Sequence, residues 1–370
     1  MTPLAHLVAD RSILVCCGSG GVGKTTTAAT LALEAARQGR RAVVVTIDPA
    51  KRLADTLGIA GLSNTPTRIE GDWTGQLWAL MLDTKRTFDA LVGRYAADAA
   101  QVERILANRF YRNISGALSG TQEYMAGEKL LELHEEGGFD LVVVDTPPTR
   151  HALDFIDAPR RLTRFLDHRL YRVLTAPTRG MMRAVNAAAQ TFVRSVSKVV
   201  GADVFDDAIA FFQAFEGMEA GFKQRADKVL HLLSDPSTAF VLVASPKRDT
   251  VSEAHFFAEK LGEADIPVQA LIVNRMHPRF GIERPEAARE RAATLDGTDL
   301  GGLYRNLADF SLVAAREESH LEGLADQVAP APVVRVPFLS IDVHDLDSLG
   351  EVAGHLFATT GPKAASKPSS

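Results

Sequence analysis

Apolar positions along the chain alternate between short continuous runs and stripes spaced three and four residues apart, and their order predicts the architecture. Ile13-Leu14-Val15-Cys16-Cys17 is a continuous run. Lys24 to Arg37 follows with Ala28, Leu31, Ala32 and Ala35 at helical spacing before Gly39 stops it. Arg41 to Asp48 is a second run, rich in β-branched residues, of the kind buried on both faces of a parallel sheet. Residues 58–76 hold Gly, Asn, Pro and Thr and predict a loop, with a short strand near Leu77–Leu82. Thr84 to Glu136 is helical and more polar, interrupted around Asn113–Gly120, and the run Phe139–Asp145 resumes the sheet. Further strands are predicted at Ala239–Ala244, Val268–Asn274 and Val333–Val336, and a helix from Leu346 to Phe357 closes the pattern.

Between 158 and 235 there is no strand pattern. Met182, Val185, Ala189, Phe192, Val196 and Val199 form one helical stripe, and a further helix carries Phe205, Ile209, Phe212, Phe215 and Phe222. Such stripes pack as core or line an apolar groove for a client helix, with Met181, Met182 and Met218 as adaptable contacts. The fold class is therefore α/β: a doubly wound, mostly parallel sheet with a helical insertion subdomain drawn from 84–136 and 158–235. Residues 359–370, rich in Lys, Ser, Pro and Ala without periodicity, read as a disordered tail.

Composition removes several classes. With 46% hydrophobic and 24% charged residues and a net charge of −5, the 370-residue chain is ordinary for a globular protein and offers no basic surface for nucleic acid. No run approaches the ~18 apolar residues of a membrane span, and residues 1–12 lack a signal-peptide core. A cytoplasmic protein that is not integral to the membrane is the expectation. The two cysteines, Cys16 and Cys17, sit side by side in one strand as small core residues, and the ten histidines show no metal-ligand spacing.

The chemistry concentrates at Gly18-Ser19-Gly20-Gly21-Val22-Gly23-Lys24-Thr25, followed by Thr26. Every fixed position of the phosphate-binding loop G-x-x-x-x-G-K-[ST] is filled, between a strand and a helix. Backbone amides of such a loop and the positive end of the helix dipole cradle phosphates. Lys24 neutralises β/γ oxygens, and the Thr25 hydroxyl takes a place on Mg²⁺. Two strands end on acids followed by turn chemistry. Asp145 fits the carboxylate that holds Mg²⁺ through water, and Asp48 is placed to orient or deprotonate the attacking water; either, taken alone, can be a turn cap. Residues 10–83, 137–157 and 236–358 then form the P-loop nucleotide-binding domain. Asn274-Arg275-Met276 follows Val273 where a guanine reader would carry its Asp, so adenine is expected, with Asn274 pairing to its edge through the amide.

These residues resemble a known family. The loop, the segment Asp48-Pro49-Ala50-Lys51-Arg52-Leu53-Ala54-Asp55 and the segment Asp145-Thr146-Pro147-Pro148-Thr149-Arg150-His151 resemble the deviant P-loop (deviant Walker A), switch I and switch II of the arsenite-pump (ArsA) and tail-anchored-protein-targeting ATPases. Ser119-Gly120-Thr121-Gln122-Glu123 through Leu133 and Val336-Pro337-Phe338-Leu339 are similar to two further family segments. Asn274, Arg275 and Pro337 join the loop residues as nucleotide-binding candidates. The resemblance implies an ATP-driven dimer whose helical subdomains rearrange, with Asp48 activating water. MinD and ParA relatives share the loop but not the switch I pattern; a positioning ATPase of that kind would carry an amphipathic tail.

Three departures stand out. Ser19 occupies the position of the family's cross-dimer lysine, so a heterodimer with a lysine-containing paralogue is implied, with a homodimer as the alternative. Lys51 and Arg150 replace a histidine and a glycine of the switches, and Arg150, Lys51 or Arg52 are candidates to restore the missing charge. A slow or non-catalytic ATP-binding scaffold is the competing function. Finally, cysteines committed to a strand cannot hold arsenite, which argues against metalloid transport.

Overall fold

The computed structural model describes residues 1–48, 52–114, 121–147, 154–168, 171, 202–278, 280 and 285–358. The stripe 182–199, Met181, Ser119-Gly120, Lys51, Arg150 and the tail 359–370 lie outside the described residues. The chain divides into two units, Met1–Leu80 with Phe139–Arg150 and Pro236–Ser370, and Met81–Gly138 with His151–Asp235.

The first unit is built on eight strands: β1 (Ile13–Cys17), β2 (Arg41–Thr46), β3 (Thr67–Ile69), β4 (Gln76–Met81), β5 (Leu141–Asp145), β6 (Thr238–Ala244), β7 (Val268–Met276) and β8 (Val333–Pro337). Their order is β3-β4-β2-β5-β1-β6-β7-β8. β5 pairs in parallel with β1 and β2, and β6 with β1 and β7; β7 and β8 are also parallel, whereas β3 and β4 are antiparallel. The mostly parallel sheet expected from the apolar runs is present. Every residue of β1, β5 and β6 is buried, which is why these strands read as unbroken apolar runs rather than alternating ones. Helix Lys24–Arg37 packs on the sheet and on helix Leu346–Leu356 around a core that includes Leu31, Leu33, Val44, Val143, Val241 and Leu349.

Strand order places the site. The chain leaves β1 for β2 on one side, with β5 inserted between them, and reaches β6 on the other. The crevice beyond the carboxyl end of β1 is thus the switch point at which open α/β sheets bind ligands.

Two elements of this unit depart from the sequence pattern. β3 lies within 58–76, where a loop is expected; its three residues pair with β4 as a hairpin and place one side chain, Ile69, in the core. Helix Pro3–Asp10 has no advance signal in the apolar runs, yet Thr2 caps it by accepting the Ala5 N–H at 3.3 Å.

The second unit is helical: Thr84–Tyr95, Ala99–Ala107, Arg109–Ile114, Thr121–Glu135, Asp154–Asp167, Ala202–Ala214 and Glu219–Ser234. Its core joins Leu91, Ile105, Met125, Phe211, Phe215 and Phe222. The stripe through Phe222, predicted as one helix, is two. Gly217 turns with φ 88° between them, a left-handed conformation that glycine adopts readily and that ends the first helix. Met218 is 1% exposed and belongs to this core. A cavity of about 400 Å³ is lined by Phe88, Phe110, Tyr124, Phe165, Phe212 and neighbouring aromatic residues. Glu128, 1% exposed, accepts from Tyr124 Oη at 2.5 Å and from Arg225 Nε at 2.8 Å, a charged pair fully inside the unit.

Candidate nucleotide-binding site

β1 feeds the turn 18–23 at the centre of the sheet. Gly18 turns with φ 147°, and a Cβ there would lie 2.0 Å from Val243 O of β6, so glycine is required. Gly23, with φ 98°, starts helix Lys24–Arg37 from the left-handed region, and the first amides of that helix face the same crevice. Val22 is 1% exposed and anchors the loop in the core, while Gly20 and Gly21 are exposed.

Lys24 is buried, and its Nζ donates to Ser19 O at 2.7 Å. Burial lowers its pKa, and Asp145 nearby pulls it back up. Ser19 is itself buried, 4% exposed, and its hydroxyl has no hydrogen-bond partner among the described residues. Thr26 lines the crevice and accepts from Thr30 Oγ1 at its carbonyl, at 2.7 Å.

Asp145 ends β5, level in the parallel register with Cys16 of β1 and Thr46 of β2. The residue is 1% exposed. Its Oδ2 accepts from Thr25 Oγ1 at 2.7 Å and from Thr46 Oγ1 at 3.0 Å, while Oδ1 is buried without a partner among the described residues. Burial pushes its pKa up to about 6, against the Thr25 hydroxyl and Lys24, which lower it. Asp48 follows β2; its N–H donates to Thr46 Oγ1 at 3.3 Å, and its carboxylate lies 3.8 Å from Arg52 Nη1.

The opposite wall comes from the end of β7. Asn274 Nδ2 donates to Val22 O at 3.0 Å, and Arg275 Nη1 donates to Gly21 O at 3.0 Å. The Asn274 amide expected to read adenine is thus bonded to the loop, with one amide hydrogen and one Oδ1 lone pair left over after Oδ1 accepts the Arg275 N–H. Pro337 ends β8 level with Met276 of β7 and is not among the described residues lining the crevice.

Together these residues enclose a cavity of about 290 Å³ lined by Gly21, Gly23, Lys24, Thr25, Thr26, Asp48, Asp145 and Arg275. Arg52, Asp55, Thr56, Thr146 and Val343 line it as well. Motif reading gave no part to two threonines of this site: Thr46, which donates to Asp145, and Thr146, which lines the cavity. Thr46 ends an apolar stretch of β2, and Thr146 Oγ1 donates to Cys16 O at 2.8 Å, fixing the turn after Asp145. The donor set fits a hard divalent cation: a threonine hydroxyl beside a buried carboxylate with one oxygen left unbonded.

A doubly wound sheet with this loop at the carboxyl end of its central strand defines the P-loop class of nucleotide-binding folds. Residues 11–294 match the model of the anion-transporting ATPase family (ArsA_ATPase), and the chain belongs to that family. It is similar to an ATPase ASNA1 homolog of Dictyostelium discoideum, 24% identical over 336 residues that span 90% of this chain and 85% of that protein. Similarity extends to a putative arsenical pump-driving ATPase 2 of Aquifex aeolicus, 23% identical over 81% of this chain and 92% of that protein. ATPase GET3B of Arabidopsis thaliana is 25% identical over 85% of this chain and 72% of its own length. Among the described residues, no helix is long and apolar enough to cross a membrane.

Proposed function

We propose that this chain binds ATP with Mg²⁺, hydrolyses it, and works as one subunit of a dimer that couples nucleotide state to its helical unit. The observation that carries this reading is Asp145: a carboxylate buried at the crevice, held by Thr25 and Thr46 through one oxygen, with the other unbonded. Thr25 and Asp145 would hold the metal, the latter partly through water. Mg²⁺ held there would supply charge neutralisation for the phosphates. Loop amides and Lys24 bind the phosphate chain, and Asp48 accepts the proton of the attacking water, oriented by its own N–H bond to Thr46.

The preference for adenine rests on Asn274 and its remaining amide hydrogen. The client reading rests on the aromatic cavity of the helical unit, which offers an apolar helix side-chain pockets in an otherwise packed core. A cytoplasmic setting belongs to the same proposal.

A second reading has its own support. Ser19 is neutral and buried, so it delivers no charge to a partner's phosphates. A scaffold subunit whose turnover depends on a lysine-bearing paralogue accommodates this, and makes a heterodimer the favoured assembly over a homodimer. Mg²⁺-dependent ATP hydrolysis by the isolated chain, with Asp48→Asn as control, decides between them. A rate above the control supports the enzyme; a rate equal to it leaves only the scaffold.

A further inference from the structure

We propose that Arg275 is the second cation of the phosphate site, supplied by the same chain as the loop and directed at the distal phosphates. The proposal deepens the ATP reading of this site and rests on it.

An irregularity in the pairing of β7 with β8, between Val273 and Met276, creates the arrangement. Arg275 has φ 61°, a left-handed conformation unfavourable for an L residue with a side chain. Asn274 Oδ1 holds it there by accepting the Arg275 N–H at 2.9 Å. The guanidinium thereby lies against the loop, where Nη1 donates to Gly21 O at 3.0 Å, and Asn274 Nδ2 takes the next carbonyl, Val22 O. Two consecutive residues of one strand thus engage two consecutive carbonyls of the phosphate loop. Gly21 and Arg275 both line the crevice, so the guanidinium bonded to the loop carbonyl stands at the phosphate cavity.

Charge gives the arrangement a purpose. Three carboxylates, Asp48, Asp55 and Asp145, line the cavity with three cations, Lys24, Arg52 and Arg275. Arg52 lies 3.8 Å from Asp48, and Lys24 is buried beside Asp145. A triphosphate adds more negative charge, and position 19 answers with a neutral, buried serine. Arg275 is the cation whose geometry suits the task. Its planar fork carries five N–H donors, so it bonds a phosphate oxygen while keeping Gly21 O.

The test is calorimetric binding of ATP and of ADP, with Mg²⁺, to the full chain carrying Arg275→Ala, Arg275→Lys or Arg275→Gly. The expected result is ATP affinity weakened about 10- to 100-fold in Arg275→Ala, a smaller loss for ADP, and partial recovery in Arg275→Lys. The salt dependence of ATP binding should become shallower at the same time. Arg275→Gly relieves the left-handed backbone and Arg275→Ala does not, so equal losses of ATP affinity in the two folded variants assign the effect to the guanidinium. Equal losses for ATP and ADP without recovery by lysine would make Arg275 a brace for the loop and overturn the proposal, as would unchanged binding. Mixing Arg275→Ala with Lys24→Ala chains checks the same-chain assignment: recovery of hydrolysis would place Arg275 in a neighbour's site and overturn it. A wild-type chain that binds neither nucleotide refutes the ATP reading itself, a failure distinct from any confined to the Arg275 variants.

Discussion

Thr25 Oγ1 donates to Asp145 Oδ2 across 2.7 Å, joining the last position of the phosphate loop to the end of a strand 120 residues away. Asp145 is ordinarily written as a charged metal ligand, but its burial makes charge costly. With a pKa of about 6 in the folded chain against 3.8 for an ordinary aspartate, the folded state binds more protons than the unfolded one between about pH 4 and 6. Stability of the metal-free chain therefore falls as pH rises through that window, by up to about 3 kcal/mol. Asp145→Asn should raise the thermal midpoint at pH 7.5, flatten its pH dependence, and abolish Mg²⁺-dependent ATP hydrolysis. Differential scanning calorimetry across pH 4–8 checks this, and a midpoint that rises with pH in the wild type between 4 and 6 contradicts it.

Lys24 and Asp48 should separate binding from turnover. Lys24→Ala removes the buried ammonium and its bond to Ser19 O, so ATP affinity falls about 100-fold or more, a loss in the range of charge-assisted contacts with phosphate. Asp48→Asn keeps the hydrogen-bonding shape and should retain ATP affinity within about threefold while hydrolysis drops at least 100-fold, the scale of one general base. Single-turnover rates beside equilibrium binding distinguish the two; equal effects on both quantities in Asp48→Asn would remove it from the chemical step.

In the helical unit, Glu128 and Arg225 are 1% and 5% exposed and 2.8 Å apart. Arg225→Ala leaves a carboxylate buried without its cation and should destabilise the chain by about 3–5 kcal/mol. Replacing both, Glu128→Gln with Arg225→Met, should recover most of that loss, because no unpaired charge remains. Chemical denaturation of the three proteins measures it, and a double variant as unstable as Arg225→Ala would point to packing rather than charge.

Cys16 and Cys17 are buried in β1, and burial raises both thiols, Cys17 to about 12. Successive strand residues project to opposite faces of the sheet, so the pair cannot close on one arsenic atom. Neither thiol should react with a disulfide reagent until the chain unfolds, and arsenite should not change the ATPase rate. Native-state labelling faster than unfolding would refute the first claim, and arsenite stimulation the second.

The phosphate loop, the central strands and the two acidic strand ends were legible because each is local: a fixed spacing, an unbroken apolar run, a terminal Asp. What stayed hidden depends on register between distant segments. Thr46 looks like a tolerated polar residue until β2 pairs with β5 and brings it to Asp145. Asn274 invites a base-reading role from its place after a strand, and only the sheet order shows its amide bonded to Val22 O. The split at Gly217 was masked for another reason, since the phenylalanines on either side keep a helical spacing through the break. β3 was too short for its alternation to register against the polar residues around it.

The grip of β7 on the loop also has a consequence for how the protein is made. Asn274 follows Val22 by 252 residues, and Arg275 follows Gly21 by 254. At about 5–20 residues per second on the ribosome, the loop emerges roughly 13–50 seconds before the side chains that engage its carbonyls. A nascent chain thus displays the nucleotide motif long before it owns a finished pocket. Cellular ATP can begin to favour the folded state only once translation has passed β7.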